Sequence, residues 1–98
     1  MKFITSYAEI NERSSESLLD HIKVIPEKRK SKILAYLKSG TPRGVRCASV
    51  YDYVENESTF DTIHVFTDGE YRWDSQEIYH FEKYNIALNE QFVEKVLS

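Results

Sequence analysis

TDGEYRWDSQEIYHFEKYN, residues 67–85, decides the fold of this chain. Asp68-Gly69 lies between two runs with strand character. That dipeptide suits a two-residue type I′ hairpin turn, in which both turn residues adopt positive φ. The register then follows: Thr67 opposite Glu70, Phe66 opposite Tyr71, Val65 opposite Arg72, His64 opposite Trp73. Side chains alternate along a strand, so His64, Phe66, Tyr71 and Trp73 share the face predicted to be core. Asp74-Ser75-Gln76-Glu77 has the spacing of a capping box, with Asp74 as N-cap and Glu77 reaching back. Trp73 and Ile78 fit a hydrophobic staple across that cap. The new helix runs through Phe81 to about Tyr84, and Asn85 can end it in a left-handed conformation.

Upstream, Val45 to Val54 is rich in residues that favour sheet, Glu55 to Thr59 is a polar connection, and Phe60 to Thr67 is a second strand. Thr41 to Gly44 is expected to be a turn-rich joint. Before it, Pro26-Glu27 opens a helix over about residues 27–38, with Ile33, Leu34 and Leu37 as its apolar stripe. Gly40 is placed to close it in a left-handed conformation. Nearer the N-terminus, Ser6 and Glu9 have capping-box spacing, and Leu18, Leu19 and Ile22 within residues 14–22 fit one helical face. Downstream, Asn89 caps a last helix, Leu88 and Val93 fit a second staple, and Phe92, Val93, Val96 and Leu97 form its buried face. The expected class is α+β: N-terminal helices, a three-stranded antiparallel meander, then two C-terminal helices packed on one sheet face.

A chain of 98 residues with 41% hydrophobic and 30% charged content reads as one globular domain over residues 1–98. No apolar run approaches the ~20 residues of a membrane helix, so no membrane partner is expected. Residues 1–15 lack the apolar segment of a secretory signal. With Cys47 as the one cysteine, no internal disulfide can form, and a reducing, cytoplasmic setting is expected. Charge is divided unevenly. Residues 1–47 hold ten Lys/Arg against five Asp/Glu, a net +5, and residues 48–98 hold three against eleven, a net −8, together giving −3. Such asymmetry bears on partners and association rates rather than on fold.

Catalytic signatures are missing from the sequence. No two histidines have zinc-ligand spacing. His64 on the core face reads as a packing residue, and His80 sits among Gln76, Glu77, Lys83 and Tyr84 on a mixed surface. Cys47 lies mid-strand, where cysteine acts as a small hydrophobe. The three glycines each have a turn role, and none belongs to a phosphate-cradling loop. No enzyme, metal or cofactor is expected. The feature that remains is acidic and tyrosine-rich. Asp52, Tyr53, Glu55, Glu57 and Asp61 cluster about the first hairpin connection and are the candidate partner-binding residues, because tyrosine anchors interfaces and acid speeds encounter with a basic partner. The alternative is a nucleic-acid-associated or regulatory adaptor using KRKSK, residues 28–32, against a reading of that run as a solvated helix face.

Thr67-Asp68-Gly69, Tyr71, Trp73, Ile78-Tyr79, Phe81 to Ile86 and Phe92, together with KILAYLKSG at residues 32–40, resemble small bacterial immunity proteins of contact-dependent growth inhibition and polymorphic-toxin systems. The resemblance covers residues 32–40 and 67–97. Asn89 stands where such relatives often carry a proline. The resemblance implies an α+β fold and a role in binding and neutralising the C-terminal domain of a cognate toxin, for instance a basic nuclease, by occluding its active site. Most of the matching residues are turn, cap and core positions, and immunity proteins vary most where they contact their toxins, so the resemblance implies no specific contact residue.

Overall fold

The structure, a computed structural model, describes residues 2–11 and 16–98. In chain order these form β1 (Lys2–Phe3), α1 (Ala8–Asn11), a 3-10 turn (Leu18–His21), α2 (Glu27–Lys38), β2 (Thr41–Asp52), β3 (Glu57–Thr67), β4 (Tyr71–Asp74), α3 (Ser75–Tyr84) and α4 (Glu90–Leu97). The class is α+β. The sheet is four-stranded and mixed, in the order β1-β4-β3-β2. The antiparallel meander of β2, β3 and β4 is joined by β1, which runs parallel to β4 through Lys2↔Tyr71 and Phe3↔Arg72. Two residues cannot show an alternating pattern, so nothing local signals this strand.

The hairpin register differs from the expected one by two residues. Thr67 faces Arg72, Phe66 faces Trp73 and Val65 faces Asp74. Only Gly69, at φ 99, has positive φ in this turn, whereas a type I′ turn needs it at Asp68 as well. The Asp68 carboxylate explains the wider connection. It accepts from the amides of Glu70 at 2.9 Å and Tyr71 at 2.7 Å, an Asx-type turn that competes with the tight one. A slip of two keeps every side chain on its face, where a slip of one would invert them. Tyr71 and Trp73 are therefore buried as expected, while His64 is exposed and pairs with Val45 rather than Trp73.

Gly40 is also needed for a reason other than the expected one. The cap of α2 is Ser39 at φ −94, and Gly40 is not among the positive-φ residues. Its Cα instead lies against the indole: a Cβ there would sit 2.6 Å from Trp73 Cζ2 and 3.0 Å from Phe66 Cβ. Trp73 is fixed there because its Nε1 donates to the Leu37 carbonyl at 2.9 Å. Thr41 to Gly44 is not a joint but the start of β2, pairing with Val65 to Thr67. Pro42 is tolerated because β2 is an edge strand.

The core is built on aromatic contact. Phe92, fully buried, meets Tyr71 at 5.1 Å, Trp73 at 5.6 Å and Tyr36 at 5.8 Å between ring centroids. Ile33 and Leu37 of α2 and Phe81 of α3 complete the cluster. Caps close α3 and α4 as the sequence predicts. Asp74 and Glu77 form the capping box, Asn85 ends α3 at φ 57, ψ 45, and Asn89 accepts from the first amides of α4. The N-terminal segment departs further. Ser14 and Ser15 lie outside the described residues. From Leu18 the chain forms a 3-10 turn, burying Leu18 while Leu19 and Ile22 are exposed. Glu9 bonds the Ser17 hydroxyl and the Leu18 amide, tying α1 to that turn.

Candidate partner-binding face on the first hairpin and helix α3

The β2–β3 hairpin is long and irregular. Pairing passes from Arg46↔Ile63 to Ser49↔Thr62 and then to Tyr51↔Ser58. β2 takes up Cys47 and Ala48 as extra residues, and β3 then takes up extra residues over Thr59 to Asp61. Bulges bend a strand and re-aim its side chains. Beyond them the hairpin meets α3. Its edge amides at Tyr51 and Tyr53 donate to the Gln76 side-chain oxygen and to His80 Nε2, both at 3.1 Å. An amide can only donate, so Nε2 is unprotonated and Nδ1 carries the hydrogen that reaches the Gln76 carbonyl at 2.8 Å. His80 is thus a neutral, fully buried helix–sheet link, and burial lowers its pKa. The mixed surface expected around it is a helix–sheet junction.

Asp52, 2% exposed, is the hub of this junction. Oδ1 accepts from the amides of Val54 at 2.9 Å and Glu55 at 2.8 Å, which shapes the connection between the strands. Oδ2 accepts from the hydroxyls of Tyr79 and Tyr84, both at 2.6 Å, with Lys83 Nζ at 3.4 Å. Burial opposes the charged form, but the Glu55 amide, the two hydroxyls and the Val54 amide more than offset it and hold the carboxyl well below its usual range. Burial and then the Asp52 contact push the Tyr84 hydroxyl up to about 12.

Around this junction lies a groove of about 410 Å³. Val50, Phe66 and Ile78 supply apolar lining, Asp61 and Glu82 supply carboxylates from β3 and α3, and His64, Ser75 and Tyr79 add polar groups. Beside Asp61 stands Phe60, which is 86% exposed at φ 66. A bulky residue with positive φ costs roughly 1 kcal/mol or more. The Phe60 amide finds the Ser58 hydroxyl at 3.3 Å and the Asp61 amide the Thr59 hydroxyl at 3.2 Å, so local side chains hold this conformation.

The five sequence-predicted binding residues are therefore divided. Glu55, Glu57 and Asp61 are exposed, and of the three Asp61 lines the groove. Tyr53 is half-buried, with its ring stacked on His80 at 5.7 Å. Asp52 is interior and has no surface to offer a partner. Phe60 and Glu82 are the surface residues that the reading missed. The sequence places Phe60 as an ordinary strand residue, and a positive φ at phenylalanine has no sequence signal. Glu82 needed the packing of α3 on the hairpin.

The rest of the surface bears on other chemistries. In the basic run, Lys30 donates to the Glu82 carbonyl at 2.7 Å and Lys38, beyond it, reaches the Glu82 carboxylate at 3.1 Å. Lys28, Arg29 and Lys32 are exposed. Cys47 is exposed rather than buried, because it lies in the β2 bulge. Glu77 is buried beside Asp74; burial first and the Asp74 charge second push its carboxyl up, and Thr5 Oγ1 lies 2.6 Å from it. Among the described residues no group of three or more His, Cys, Asp or Glu could hold a metal ion, and no helix is long and apolar enough to cross a membrane. No family model, curated protein or solved structure matches the chain.

Proposed function

We propose that this chain is a protein-binding inhibitor, a cytoplasmic immunity protein that neutralises a cognate toxin domain by covering its basic, active face. The observation that carries this reading is Phe60. A large aromatic side chain is held in a costly backbone conformation and presented to solvent, next in sequence to the exposed Asp61. Strain of this kind persists where surrounding structure enforces it and tends to gather at functional sites. An exposed aromatic side chain beside an acid suits contact with a basic protein. Two of the cations on α2 hold α3 in place, which favours a protein partner over nucleic acid on that helix.

The test is substitution of Phe60 by glycine. Glycine is at ease at φ 66, so Phe60→Gly should leave the fold intact or stabilise it by up to ~1 kcal/mol in urea unfolding. The same change should weaken binding to the toxin domain encoded by the adjacent upstream reading frame by roughly tenfold or more. A stable Phe60→Gly protein that binds as tightly as the parent removes Phe60 from the interface and with it the main support for this reading.

A further inference from the structure

The groove beside Phe60 has a lining that selects among cations. Asp61 approaches it from the β3 bulge and Glu82 from α3; Lys38 Nζ, from outside the lining, holds Glu82 Oε2 at 3.1 Å, so a cation in the groove would meet Asp61 and the other Glu82 oxygen. Its apolar part is Val50, Phe66 and Ile78, with the ring of Tyr79 alongside; Lys83 Nζ lies over that ring at 5.6 Å from its centroid, so the opposite face is the one left for a ligand. A compact ammonium is strongly hydrated and behaves as a point charge. Two carboxylates on different elements instead suit a planar group whose donors point in several directions, and an aromatic ring offers it a face for stacking. The apolar lining suits a three-carbon stem, since long cationic side chains bury the stem while the head stays polar.

We infer that this groove receives an arginine side chain of the bound protein, with the guanidinium between Asp61 and Glu82 and the stem against Phe66 and Ile78. The inference rests on the inhibitor reading above for the identity of the partner, but the chemistry of the pocket is testable without that partner. The probe is a hexa-arginine peptide, titrated into the full isotope-labelled chain and followed by NMR. Resonances of His64, Ile78 and Tyr79 should shift and saturate. Asp61→Asn and Glu82→Gln should each weaken the peptide about tenfold, in keeping with the loss of one charge-assisted hydrogen bond. A hexa-citrulline peptide, equal in shape but uncharged, should not bind, and hexa-lysine should bind several-fold more weakly. Glu90→Gln, exposed on α4, serves as a charge-matched control and should change nothing. Shifts confined to the Glu55–Glu57 connection, equal binding by the groove variants, or equal binding of citrulline or lysine peptides would each overturn the inference.

The two proposals can fail separately. If the parent protein protects cells from the toxin domain and the Asp61→Asn, Glu82→Gln double variant protects equally, the arginine site falls and the inhibitor reading stands. If hexa-arginine binds in the groove as described but the parent gives no protection, the site stands and the inhibitor reading falls.

Discussion

At the scale of single residues, two buried carboxylates carry opposite pH signatures. Asp52 is held below its ordinary value of 3.8, so its contribution to stability is present above that pH and is lost as pH falls through and below it. Asp52→Asn removes the charge while two tyrosine hydroxyls and two amides still need an acceptor. It should cost about 3 kcal/mol in urea unfolding at pH 7 and should remove part of the acid sensitivity of the parent. Glu77 shows the reverse. Its folded pKa is raised above the ordinary 4.5, so stability is greatest below that value and falls as pH rises through the raised pKa. Glutamine keeps the capping-box geometry. Glu77→Gln should therefore flatten the decline in unfolding free energy between pH of about 5 and about 8, and an unchanged slope would show that Glu77 is not the group responsible.

At the scale of elements, what was legible in the sequence was what is local. Asp74, Glu77, Asn85 and Asn89 act within one helical turn of their targets, and each sits where spacing alone places it. The aromatic face of β4 survived an error of two in register because side-chain parity did not change. What could not be read is non-local. β1 pairs with a strand about 70 residues away. The burial of Asp52 depends on Tyr79 and Tyr84, which only the bulged hairpin brings over it. In retrospect Tyr79, Lys83 and Tyr84, spaced i, i+4 and i+5, mark a polar aromatic helix face that needs an acid opposite.

Two glycines separate a non-local constraint from a local one. Gly40 has ordinary φ but no room, and Gly69 has room but positive φ. Gly69→Asn should therefore cost up to about 1 kcal/mol, through φ and with no packing penalty, whereas Gly40→Ala should cost about 2–3 kcal/mol through overpacking against Trp73. Matching losses at both positions in thermal or urea unfolding would contradict that assignment.

At the scale of the whole molecule, the two halves of the charge split meet where Lys30 and Lys38 of α2 bond Glu82 of α3. The cationic half supplies α2 and the start of β2, and Arg43 and Val45 of β2 line a separate open groove with Val65 of β3 and Arg72 of β4. The acidic half supplies the hairpin connection and α3. An inhibitor of a basic domain would be steered by the second of these. Charge reversal by Glu55→Lys and Glu57→Lys should slow association with the toxin domain about tenfold at low salt and flatten its dependence on ionic strength, with a much smaller change in dissociation. An association rate unaffected by both changes would move the contact surface elsewhere.

The most direct measurement is growth. The C-terminal segment of the adjacent upstream reading frame is expressed in a sensitive host with the parent chain, with Phe60→Gly, or with neither. The expected result is arrest without the chain, growth with the parent and partial or no rescue by the glycine variant at equal protein level. A toxic segment that the parent fails to restrain, or a segment that is harmless alone, would contradict the assignment of this acidic, aromatic face to toxin neutralisation.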